Sequence, residues 1–436
     1  MSKKRITMTP DMAKLVNRRI VLEHLLRHSP TSRAEIARHL QLSKPTVSLI
    51  VSELVREGFV RELGVKRNGQ GRPSIEVEMN PRARYAVGVE LDVSSALLII
   101  TDLLTHPIDG VPSFIQIEID TTTPERAAVS LSTHIKQVMA ELGRQETAHH
   151  TRGADGSAEH LPRLVGVGIG VPAVVNSETM EVISSNPLHW SGPAAFGTLV
   201  QEQVHAPVLV TQRVMAAAWA EHIFGSARGS NSMVFARFGS GVATGIILND
   251  QLYTGTSNFA GDIANMSFLP QGSATDLMQP VGLQSLVTRA AITARARELL
   301  LEGTFTSSSA LDAAGGDPAC ITLEMLCDGA RQNDPLSRDV IIEAGRFVGV
   351  AMANVIGILN PALVVLGGPL TRAGGVLLES VLDQVERCCN RYERSSVRII
   401  ISELADRAPA LGAANLAIQQ FLSPTRLPDM RTPLLS

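Results

Sequence analysis

The chain has 436 residues, 44% hydrophobic and 19% charged, with a formal net charge of −3. That is ample for a large core and gives room for two or three domains; no run of 18 apolar residues offers a membrane span, and the opening MSKKRITMTPDM lacks the apolar stretch of a secretory signal. Cys320, Cys327, Cys388 and Cys389 show no CxxC spacing and no disulfide framework, so a reduced, cytoplasmic protein without a metal site is expected. The charge is unevenly placed. Residues 1–84 carry 17 Lys and Arg against 8 Asp and Glu, a balance of +9, whereas the rest carries 22 against 34, a balance of −12. A small basic head on an acidic body points to a polyanion that meets the head alone.

In chain order, residues 17–28 carry a helical apolar stripe at positions 20, 21, 22, 25 and 26. Ser32 and Glu35 form a capping-box pattern opening a short helix through Leu40. Gln41-Leu42 is the turn. Ser43 caps a second helix with Pro45 in its first turn, Val47, Ile50, Leu54 and Val55 facing inward, and Gly58 as its stop. This is a helix-turn-helix, whose second helix is the expected major-groove reader of a double-stranded DNA operator. Ser43, Lys44, Thr46 and Ser48 stand at its N-terminal end. The following FVRELGVKRNGQGRPSIEVEMN alternates about a Gly-rich turn, a β-wing bearing Arg61, Lys66, Arg67 and Arg72. Gly71-Arg72-Pro73 resembles the core of an AT-hook, which lays an arginine in a narrow minor groove. The whole segment 17–80 resembles the winged helix-turn-helix of repressors of the ROK family, which unites repressors and sugar kinases.

Residues 85–104 read as two strands about a tight turn, Glu90-Leu91-Asp92-Val93-Ser94-Ser95. The family's kinases have Asp-x-Gly-Gly-Thr here and wrap ATP phosphate with it. Both glycines are missing from this chain, and Asp92 reads as a turn residue. Residues 122–144 read as helix. Residues 145–163 read as a polar surface loop whose His149, His150 and His160 lack ligand spacing. LVGVGIGVPAVVN (164–176) is a buried strand that resembles the family's Gly-Ile-Gly-x-Pro-Gly-x-Val, and Asn186 of the next segment falls where the family places an asparagine on sugar hydroxyls.

The stretch 208–265 is the most informative. Its VTQRVMAAA holds Gln212, Arg213 and Val214 in the register of the family's Asn-Asp-Ala, whose Asp is the general base. An arginine stays protonated and cannot take a hydroxyl proton. Gly239, Gly241 and Gly245 then suggest a strand pair with a phosphate-type turn. GDIAN matches the family's Gly-Glu-Ile-Gly-His with Asp262 for the sugar-binding Glu and Asn265 for the His. The family's zinc-binding cysteines do not follow, so no zinc is expected, and Gln284 takes the position of a later Glu. Residues 306–319 read as a loop, and residues 339–368 as a long helix, a turn at Asn360-Pro361 and a buried strand ending at Gly367-Gly368. That glycine pair flanks adenosine in the family and otherwise serves close helix–strand packing. Helices over 376–393 and 410–421 and a strand over 397–404 close the chain.

The resemblance, over residues 17–421, implies an α/β chain with two parts. Residues 1–82 form a winged helix-turn-helix, and 83–436 form a two-lobed, actin-like (ribonuclease-H-like) sugar-kinase fold that senses a ligand and oligomerises. It implies a homodimeric or homotetrameric transcriptional regulator, without cofactor or kinase activity. A small sugar-like effector would be held by Asn186, Gln212, Arg213, Asp262 and Asn265. An active kinase and a DNA-binding scaffold with a ligand-free body are the alternatives. Arg213 suits an acidic or phosphorylated effector through a bidentate pair; it suits equally an internal ion pair with Asp262.

Overall fold

The computed structural model describes residues 10–66, 74–150, 163–176, 179–268 and 280–422. The head comprises α1 (Pro10–His28), the short strand β1 (Thr31–Ser32), α2 (Arg33–His39), α3 (Lys44–Arg56) and the wing strands β2 (Val60–Lys66) and β3 (Ser74–Met79). Local chemistry sets its boundaries. Ser32 Oγ accepts the Glu35 N–H while Glu35 accepts the Ser32 N–H, a complete capping box. Gln41 adopts φ 53° in the turn, Ser43 Oγ accepts the Thr46 N–H at 3.2 Å, and Gly58 adopts φ 80° beyond the end of α3. Val47, Ile50, Val51 and Leu54 bury one face of α3. Lys14 and Arg18 of α1 clamp Glu53 and Glu57 at 2.8 and 2.6 Å.

The first lobe carries β4 (Tyr85–Leu91), β5 (Ser95–Thr101), β6 (Ile115–Glu118), α4 (Pro124–His150), β7 (Leu164–Val171), β8 (Val174–Val175), β9 (Val182–Ser184), α5 (Phe196–Val204), β10 (Val208–Gln212) and α6 (Arg213–Ile223). Its sheet has the order β10-β7-β4-β5-β6, with β4, β7 and β10 parallel and the β4–β5–β6 pairs antiparallel.

The second lobe adds β11 (Ser232–Phe238), β12 (Val242–Leu248), β13 (Gln251–Leu252), β14 (Ser267–Phe268), β15 (Val281–Gly282), α7 (Gln284–Val287), α8 (Arg289–Leu301), α9 (Ser309–Ala313), α10 (Leu323–Arg331), α11 (Pro335–Leu359), β16 (Leu363–Gly367), α12 (Gly375–Cys388), α13 (Arg391–Ser396), β17 (Arg398–Ile401) and α14 (Ala408–Leu422). Its main sheet runs β13-β12-β11-β16-β17. Helix α11 has the length and apolarity of a membrane span. Its Val340, Ile341, Val348, Met352 and Ile356 instead share one core with Val234 of β11 and Val364 of β16.

Two expectations are corrected. Helix α4 continues to His150, where a loop was expected from 145. Polar residues on a surface helix look like a loop when only polarity is read. His149 and His150 therefore end a helix, while His160 lies outside the described residues. The segment 306–319 holds α9 and the start of a 3-10 turn, nucleated by Ser308 and Asp317 as N-caps. The division expected after residue 82 falls inside the turn Pro81–Ala83, yet the head's core does not stop there. Val21, Leu22 and Leu25 share a cluster with Ala86 and Ile99 of the first lobe and Ala410, Ala414 and Ile418 of α14. Helix α14 lies so close to the first-lobe sheet that a Cβ on Gly88 would strike the Ala410 carbonyl.

Candidate functional site

Between the two lobes lies a cavity of about 420 Å³, the size range of small-molecule sites. Asn186, Gln212, Arg213, Asp262 and Asn265, separated widely in sequence, all line it, and so does Gln284. Asn186 is exposed in the turn after β9. Gln212 ends β10 and precedes α6, donating its amide N–H to the Asn258 carbonyl at 2.7 Å. Gly261 (φ 87°) accepts both the N–H and the hydroxyl of Thr244, at 2.8 and 2.9 Å, so the 261–265 loop is anchored on β12. The loop presents Asp262, which accepts the Ala264 N–H, and Asn265, whose Oδ1 accepts the Gln284 amide at 3.2 Å. With Asn258, five amide residues and one aspartate thus line the cavity.

The floor is ionic. Arg213, 5% exposed at the start of α6, donates to Ser240 Oγ at 2.8 Å and approaches Asp92 at 3.1 Å and Glu90 at 3.9 Å. The ion pair with Asp262 considered from sequence is not made. Asp92, read as a plain turn residue, is the arginine's nearest carboxylate. Sequence reading also missed Arg237 on β11. It is 6% exposed, reaches Glu90 at 2.9 Å and Asp406 at 3.7 Å, and lines the same cavity. Its signal was available: a charged residue inside the apolar strand MVFARF is anomalous unless it is paired. Burial pushes the Glu90 carboxyl above the usual range, opposed by Arg237 and then Arg213. Burial, with Arg237 adding repulsion, lowers the Arg213 guanidinium, opposed by Asp92 and Glu90.

This arrangement sets the arginine that suggested an acidic or phosphorylated effector beside carboxylates of the chain itself. Two guanidiniums face Glu90, Asp92 and Asp406 across the floor. The arrangement removes general-base chemistry from the position that Arg213 occupies. The pair Gly367-Gly368 is accounted for by packing: a Cβ on Gly367 would strike the Phe235 ring. Among the described residues no three His, Cys, Asp or Glu side chains form a metal-ligating group.

At the head, Lys44 and Ser48 are exposed on α3. The Ser43 and Thr46 hydroxyls lie 2.7 Å apart, and Ser43 is engaged in capping. Arg61 pairs across the wing with Glu78 instead of projecting alone. Arg67 and Arg72 lie outside the described residues, as does the side chain of Lys66.

A winged DNA-binding head joined to a sugar-kinase-like body defines a transcriptional regulator. The ROK family pattern matches residues 153–420, and a MarR family pattern matches residues 17–70. The chain belongs to the ROK family. It is 25% identical over 410 residues to the xylose repressor of Bacillus subtilis (strain 168), covering 94% of this chain and 96% of that one. To the DNA-binding transcriptional dual regulator NagC of Escherichia coli (strain K12) it is 24% identical over 413 residues, 95% of each chain. Among solved structures, a ROK family transcriptional regulator, homolog of the E. coli MLC protein, superposes with a TM-score of 0.78 at 21% identity, over 94% of this chain and 98% of that one. A ROK family glucokinase from Streptomyces griseus in complex with glucose and AMPPNP gives 0.61 at 20% identity, over 77% and 99%. The winged helix-turn-helix followed by an actin-like kinase fold is therefore the architecture of this chain.

Proposed function

We propose that this regulator represses genes of carbohydrate metabolism from the cytoplasm and is released by a neutral sugar bound between the lobes. The carrying observation is the cavity's chemistry. Asn186, Gln212, Asp262, Asn265 and Gln284 offer amide donors, amide acceptors and one carboxylate, the groups that pair with a ring of hydroxyls. The buried cations beneath them already face carboxylates of the chain. The name of one relative, a xylose repressor, supports the sugar and the sign of regulation, while NagC is named a dual regulator. Lys44, Thr46 and Ser48, positioned by the Ser43 cap, meet the operator, with Arg67 and Arg72 of the wing reaching the backbone or minor groove. Two or four copies present paired heads to a palindromic site.

The test is a thermal-shift titration with neutral sugars, sugar phosphates, sugar acids and ATP–Mg. A ligand present at a hundred times its Kd stabilises the folded state by about 2.7 kcal/mol, readily seen in Tm. A neutral sugar is expected to raise Tm in the wild type and not in Asp262→Ala. A shift produced only by an acidic or phosphorylated sugar would overturn the reading of the cleft.

A further inference from the structure

The outward face of α3 has an apolar centre. Val47, Ile50, Val51 and Leu54 point into the head's core, and the α1 clamps on Glu53 and Glu57 close one flank. The opposite face runs through Pro45, Leu49, Ser52 and Arg56, spaced four, three and four residues apart as one helical stripe. All four are exposed. Leu49 sits mid-stripe and is 58% exposed. A single surface leucine elsewhere would need no explanation. Here its neighbours Pro45, Ser48 and Ser52 are short, so the isobutyl group projects beyond them on the surface assigned to the groove. A lysine or arginine at that height would select guanine through O6 and N7, and an amide would select adenine. A branched alkyl group can do neither. Its one favourable partner among base edges is the thymine C5-methyl, which is unique to the major groove.

We propose that Leu49 is a specificity-determining residue, packing its δ-methyls on a thymine methyl in each half-site. The inference rests on α3 being the groove reader, and it goes beyond the polar set at the helix N-terminus. On the same stripe, Arg56 stands two turns further on, where the helix leaves the groove toward a phosphate.

The experiment uses the full-length protein. Bound sites are selected from a random duplex pool, and each thymine is then replaced singly by deoxyuridine, which removes only the methyl. One thymine per half-site is expected to show about a 4-fold loss of affinity in gel-shift titrations, the worth of one buried methylene-sized group. Leu49→Ala is expected to bind more weakly and to be indifferent to that same replacement. Leu49 is exposed and alanine is a good helix former, so the variant keeps its Tm. Selective binding indifferent to every deoxyuridine overturns this inference alone, as does a Leu49→Ala protein that retains the full penalty. Absence of any sequence-selective binding by the wild type overturns the groove-reader reading and this one with it. Lys44→Ala separates the two roles, because losing a phosphate contact weakens all sequences alike and lowers the salt dependence.

Discussion

Arg237 and Glu90 face each other at 2.9 Å with almost no exposure, one from each lobe's main sheet. Removing one partner of a buried pair strands the other charge. Arg237→Met is therefore expected to cost about 3–5 kcal/mol in chemical denaturation, and Arg237→Met with Glu90→Gln to recover much of it. The pH dependence has a definite sign. Glu90 holds its proton more tightly folded than unfolded. Its contribution to stability is then complete below the ordinary carboxylate range and is lost as pH rises through its raised folded value. Glu90→Gln should remove that part of the slope when unfolding is followed from pH 4 to 7. The chemical oddity of Arg213 is legible in the chain, since an arginine stands where the family keeps its base. Its partners are not, because Glu90 and Asp92 come from a different strand and turn, and only the closed sheet brings them within 4 Å.

The helix starts of the head were legible because a side chain there caps its own helix ahead of an apolar stripe. Ser32 and Ser43 are separated from their partners by three residues, so the pattern and the interaction coincide. Ser32→Ala should lower stability by about 1 kcal/mol in urea titrations, with DNA affinity falling only as the head frays. The register between elements was not legible. Asp334 gathers the buried Ser308 and Ser337 and the backbone N–H of Ser309, ordering a segment that composition marks as loop. Helices α6 and α14 touch backbone to backbone, since a Cβ on Gly412 would strike the Ala216 carbonyl. Gly412→Ala should accordingly force the two helices apart at about 1–3 kcal/mol, read as a lowered denaturation midpoint.

Ligand can change DNA affinity only by binding two conformations of the whole chain unequally. Helix α14 touches both the head and an element of the cleft. It packs on α6, which begins with Arg213 at the cleft floor. Asn415 accepts the Trp219 indole N–H at 2.9 Å and donates to Thr105 at 2.8 Å. Its Ala410, Ala414 and Ile418 share the head's core. Ile418→Ala should leave sugar affinity within about 2-fold while shrinking the sugar's effect on operator affinity, measured by titrating DNA with and without saturating sugar. The same affinity in the wild type should fall linearly with the logarithm of salt concentration, because the contacts made by the basic head release counterions.

Periodicity, caps, turn residues and charge asymmetry determined the winged head, and the order and spacing of motifs that resemble the ROK family implied the two-lobed body and most of the polar residues around the cleft. Those signals act within a few residues of each other, or repeat at the spacing of a helix or strand, and so they survive in a linear string. The charge state of the cleft and the continuity of the head's core with α14 were decided only by tertiary structure. Both depend on groups far apart in sequence meeting where water is excluded. There a guanidinium is read by a ligand or silenced by a carboxylate according to a few ångströms that no local pattern encodes.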